Sequence, residues 1–195
     1  MLSWLFGKTD QAIRAEDSVW MSDPARLREI RREVERLTRE KRSAVVVALT
    51  LAAFDDLVRE LGQYKPSLCR DLFGLDVLRS QLARPGSITV ALGNILSTDA
   101  KPSTSVPVEF IVCGRNDIQA ADESLLRFAD LVGPTATVTF PPSLDDALLS
   151  DYIGTIKPRL TKMGLCEEES TRKYPLGEKR NCQPEGDSGE GNKAG

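Results

Sequence analysis

The run Ser43–Thr50, SAVVVALT, constrains this chain more than any other stretch. It is apolar and β-branched without alternation, which suits a strand covered on both faces, as in a parallel sheet. Directly behind it, AAFDDLVREL places Phe54, Leu57, Val58 and Leu61 at helical spacing. The pairing then recurs. DVLRSQLAR reads as an amphipathic helix stopped by Pro85-Gly86, and SITVAL (87–92) as the next strand. STDAKPSTSVP is a loop, VEFIVC (108–113) a third strand, DESLLRFADLV (122–132) a helix ended by Gly133-Pro134, and TATVTF (135–140) a fourth strand.

Strand and helix alternating in this way predict the α/β class, as a single three-layer domain with a mostly parallel, Rossmann-like sheet. No G-x-G-x-x-G follows any strand, so a dinucleotide site is not expected.

Other segments surround this frame. SDPARLREIRREVERLTREKR predicts a helix capped by Ser22 or Asp23, with Pro24 in the first turn. Leu27, Ile30, Val34 and Leu37 form its apolar stripe, and its arginines and glutamates read as a solvated face. SLDDALLSDYI predicts a helix capped by Ser143, with Asp145 and Asp146 complementing its dipole, and a further short helix is expected over 155–164. Adjacent aspartates on a helix point about 100° apart, so this pair is not read as a metal site. Residues 1–16 form an arm with an apolar head, 17–166 the α/β lobe, and 167–195 a polar tail expected to be mostly disordered.

Composition excludes several chemistries. The histidine count is 0, which removes histidine triads, histidine metal sites and histidine general bases. A net charge of −3 argues against nucleic acid as a partner. The four cysteines lack C-x-x-C spacing, so no zinc site is expected; Cys113 reads as core and the thiols as reduced. With no long apolar run and no signal-peptide pattern, the expected location is cytoplasmic. Gly7-Lys8-Thr9 ends like a P-loop, but Leu2 stands where the first glycine of that motif is needed and no strand precedes it.

From about Asp17 to Tyr174 the order and letters of these segments resemble the second helicase-type, nucleotide-binding lobe of the SecA preprotein translocase ATPase. LARPGSITVAL resembles A-G-R-x-G-A-V-T-I-A-T, SLDDALLSDY resembles S-L-E-D-D-L-M-R-x-F, and KMGLCEEE resembles the K-L-G-M turn. DSVWMSDPARLREI and the strand and helix after it follow that family's opening order, and Tyr174-Pro175 sits at its His-Pro. The resemblance implies a fold of helicase C-terminal-lobe type.

The departures carry the functional expectation. Counted back without gaps from Ser143, the family's arginine motif Q-L-R-G-R-x-G-R falls on 124–131, and its three arginines become Leu126, Phe128 and Leu131. An arginine finger places a fixed positive charge on developing phosphate charge, which leucine and phenylalanine cannot do. Leu125, Phe128, Ala129 and Val132 read instead as an ordinary apolar helix face. The motif N-M-A-G-R-G-T-D becomes LGNILSTD, keeping Thr98 and Asp99 but losing its arginine. Thr98, Asp99 and Arg115, the last following the third strand, are the vestigial nucleotide-contact candidates.

The lobe that carries the P-loop in the family has no counterpart in this sequence. The chain is therefore expected not to be an enzyme by itself, with no catalytic residue, metal or cofactor. The leading expectation is a degenerate, pseudo-ATPase lobe acting as a protein-interaction or regulatory module. The resemblance points to the protein-export machinery as its partner. The alternatives are one half of a split ATP-binding motor and an unrelated small-molecule α/β enzyme. The arm resembles the start of SecA, which implies partner contact, or at most peripheral membrane contact, through Leu2, Trp4, Leu5 and Phe6.

Overall fold

The computed structural model describes residues 18–96, 104–116, 119–133, 135–168 and 170. Five strands form one all-parallel sheet in the order β2-β3-β1-β4-β5. They are β1 (Ser43–Ala48), β2 (Ser67–Cys69), β3 (Ile88–Leu92), β4 (Val108–Cys113) and β5 (Thr137–Thr139). The helices are α1 (Asp23–Arg39), α2 (Leu51–Glu60), α3 (Leu72–Leu82), α4 (Gln119–Val132) and α5 (Ser150–Lys162).

β1 is central, with Val45 in register with Thr89 of β3 and Phe110 of β4. Its side chains divide the core. Ala44, Val46 and Ala48 face α1 and α2, meeting Ile30, Val34, Leu37, Phe54 and Leu57. Val45 and Val47 face α3 and α4, meeting Leu75, Leu78, Leu125 and Phe128. This is the expected three-layer build. Burial on both faces explains why the run carries no polar alternation.

α1 starts as its sequence dictates. Ser22 has extended backbone and its hydroxyl accepts from the Ala25 amide at 3.4 Å, ahead of Pro24. Three expectations about secondary structure need correction. β2 is a fifth strand that the sequence did not announce; it is three residues long and, among the described residues, lies at the sheet edge and pairs with β3 alone. Second, no helix begins at Ser143. Its hydroxyl accepts from the Asp145 amide (3.0 Å), and the Asp146 carboxylate accepts from the Ser143 amide (2.8 Å). Side-chain bonds of this kind give the backbone an alternative to a helix. The flanking backbone pairs with Trp20, whose amide donates to Pro142 (2.8 Å) and whose carbonyl accepts from Leu144 (2.8 Å).

Third, the two helices expected over 143–153 and 155–164 are one, α5, which runs through Gly154 and Pro158. Leu149, Ile153, Ile156 and Leu160 keep one stripe across both residues and pack it on Val19, Met21, Leu144 and Leu165. Cys69 and Cys113 are free thiols, but Cys166 is disulfide-bonded, so the expectation of four reduced thiols does not hold. Beyond it, Ser170 is buried and bridged to Trp20, and the Glu167 carbonyl accepts from the Ser22 hydroxyl at 3.0 Å. Among the described residues no helix is long and apolar enough to cross a membrane.

Candidate functional site

In an open parallel sheet, ligands settle outside the carboxyl ends of the strands where neighbouring connections diverge. Here that place lies between β1 and β4. The connection leaving β1 runs toward β2 at one edge, and the one leaving β4 runs toward β5 at the other. A cleft of about 530 Å³ opens there. Thr50 and Ala53 of the α2 start line it, together with Gly114, Arg115 and Asn116 after β4, Asp23 and Arg26 of α1, and Asp145 and Asp146.

Two guanidinium groups sit in this cleft, and both are tied to carboxylates. Arg26 Nη1 is 2.5 Å from Asp146 Oδ1, and Nη2 is 2.9 Å from Asp23 Oδ1. Burial works against its charge, but Cys113, Asp146 and Asp23 outweigh that and hold its pKa above the usual arginine value. Arg115 Nη1 lies 3.3 Å from Asp122 Oδ2, and its guanidinium stacks 3.9 Å above the ring centroid of Phe140. Asp122 also accepts from the Asn116 backbone amide (3.3 Å) and side-chain amide (2.7 Å), so one buried carboxylate holds both Arg115 and Asn116 after β4.

The helix N-termini are served in the same way. Asp145 Oδ2 accepts from the Asp23 amide at 2.9 Å, at the start of α1. Asp145 thus complements a helix dipole as expected of it, but that of α1 rather than of a helix of its own. The Thr50 hydroxyl accepts from the Ala53 amide at 3.2 Å, capping α2. Three positions that would receive an anion are therefore each held by an aspartate: Asp145 on the α1 terminus, Asp146 on Arg26, Asp122 on Arg115. The lining as a whole has four aspartates (Asp23, Asp56, Asp145, Asp146) against two arginines.

Gly114 shapes the lip. Its φ of +100° is one that L side chains rarely adopt, and a Cβ there would lie 3.5 Å from Asp146 and 3.6 Å from Arg26. Cys113 sits at the cleft floor with its thiol pushed up to about 11, mainly by burial and against the pull of Arg26, so it is protonated at neutral pH and is no nucleophile there. Among the described residues no group of three or more cysteines and carboxylates is placed to hold a metal ion.

Of the residues singled out in the sequence, Arg115 lies in the cleft. Thr98 and Asp99, and the arm residues Leu2, Trp4, Leu5 and Phe6, lie outside the described residues. Leu126 and Phe128 are buried in α4, with Phe128 edge-on to Phe110 at 6.0 Å between ring centroids, whereas Leu131 is exposed. Sequence reasoning missed Arg26 by assigning every α1 charge to solvent. Arg26 lies four residues before Ile30 and eight before Val34, in phase with the buried stripe, and that spacing was the available signal.

No family model and no curated protein matches this chain. Among solved structures, that of T4 UvsW is similar over 63% of this chain and 26% of its own length, at 15% identity and a TM-score of 0.48. The chain therefore spans about a quarter of that structure. The α/β assignment rests on the sheet itself.

Proposed function

We propose that this chain is a non-catalytic α/β lobe of helicase type that works by binding another protein. The observation that carries this reading is the occupation of the crevice by the chain's own carboxylates. A triphosphate needs unclaimed N–H groups and positive charge to replace its hydration shell. In this cleft it would meet Asp145 and Asp146 where it needs cations, and an Arg115 already paired with Asp122; like charges repel more strongly in a partly desolvated site. Leu126 and Phe128, at two of the positions where the resembling family has arginine, serve the core instead. A role beside the protein-export machinery extends the sequence resemblance and stands on that alone.

Isothermal titration of the full chain with Mg-ATP tests the reading. No saturable heat is expected; magnesium-dependent binding at micromolar affinity would contradict it. The split-motor alternative rests on the crevice standing at the sheet's switch point, with Arg115 inside it. Stimulated ATP turnover on mixing with a separate P-loop lobe would favour that alternative over the binding module.

A further inference from the structure

The edge of the sheet opposite β5 carries large apolar side chains in water. Phe73 is 86% exposed and Leu72 73%, with Leu68 and Val77 also exposed, all within ten residues of chain. This surface is built rather than frayed. Asp71 caps α3 by accepting from the Gly74 amide at 2.9 Å. A Cβ on Gly74 would come within 2.7 Å of the Cys69 Cα, so the helix start is pressed flush on β2. Leu75, Leu78 and Leu82 take the inward face, and helical phase then forces Phe73 and Val77, four apart, outward. β2 adds an edge strand with one side unpaired among the described residues.

We propose that this surface is covered by the chain's own arm, through Leu2, Trp4, Leu5 and Phe6. The described chain begins at Ser18, and Trp20 is pinned beside Ser143, which follows β5 at the carboxyl end of the sheet. The α3 start follows β2 and so lies at that same end. Four strand spacings of ~4.8 Å separate β5 from β2, roughly 19 Å. The twelve residues from Phe6 to Ser18 can span about 40 Å when extended. The arm therefore reaches the patch with slack. Its head is the apolar segment that such a surface needs, and intramolecular docking avoids the loss of translational freedom that a separate partner incurs. The inference goes beyond the binding-module reading and does not depend on it, since nucleotide binding in the cleft would leave it standing.

The chain has two tryptophans, of which Trp20 is buried. Acrylamide quenching of the full chain, with the Trp4→Phe variant subtracted, isolates Trp4. Trp4 is expected to be protected, and Phe73→Asp to abolish the protection with a red-shifted emission. Met163→Asp, which changes an exposed residue elsewhere, is expected to leave it intact. The reciprocal Phe6→Asp should also remove the protection, and Phe6→Asp combined with Phe73→Lys should restore part of it; this arm covers the case in which Phe73→Asp does not fold. Sedimentation over a range of concentrations should give a monomer throughout. Trp4 fully open to quencher would overturn the proposal in favour of a foreign partner, and a dimer dispersed by Phe73→Asp would overturn it in favour of a second copy.

Discussion

Arg26 and Asp146 stand 120 residues apart in the chain and meet at 2.5 Å with side chains only 7% and 15% exposed. The pair joins the start of α1 to the turn that replaces the expected helix at Ser143, and it closes one wall of the cleft. Breaking a buried pair leaves one charge without compensation, which costs about 3–5 kcal/mol, whereas replacing both partners with apolar groups is often close to neutral. Asp146→Asn leaves Arg26 with Asp23 as its remaining partner, so it is expected to lower stability by less than that, about 1–3 kcal/mol, and Arg26→Met with Asp146→Leu to recover part of it. Chemical denaturation of the single and double variants measures this; equal losses in both would show that the pair is not the source.

Two of the three positions where the resembling family has arginine should respond in opposite ways. Phe128→Ala removes a buried ring packed edge-on against Phe110 and should cost about 3–5 kcal/mol. Leu131 is 44% exposed, so Leu131→Arg should shift stability by no more than about 0.5 kcal/mol. Denaturation midpoints of the two variants decide it, and a large loss at Leu131 would mean that the helix face has been misplaced.

At the opposite end of the sheet from the cleft, Glu109 is buried beside Glu33, with Arg42 at 3.3 Å and Arg36 at 3.7 Å. Burial first, then repulsion from Glu33, push the Glu109 carboxyl above the usual carboxylate range. Hydrogen bonding from Arg36 chiefly holds Glu33 below it. A group raised in the folded state contributes stability below its unfolded pKa and loses it as pH rises through the folded one. Glu109→Gln lacks that loss, so its stability relative to the parent should improve between pH 4 and pH 7. Urea unfolding at both pH values checks the sign; a constant difference would contradict it.

The strand–helix alternation was legible because β1, β3 and β4 are buried and their β-branched runs stand out. β2 was not, because three edge residues need no such pattern. The α5 start was misread because Ser143, Asp145 and Asp146 carry the letters of a helix cap while spending their bonds on a turn, on α1 and on Arg26. The cleft itself was only half visible. The position of Arg115 after a strand end pointed to it, and the phase of Arg26 did too, but Asp146 reaches Arg26 through the tertiary fold, with nothing local to announce it.

If the carboxylates of the chain fill the crevice in place of a phosphate ligand, Mg-ATP has no seat there. The most direct test is an amide-resolved NMR titration of the full chain with Mg-ATP, following Thr50, Gly114 and Asn116, which line the cleft. No saturable shift is expected at these three amides. Saturable shifts centred on them, at micromolar nucleotide, would contradict it.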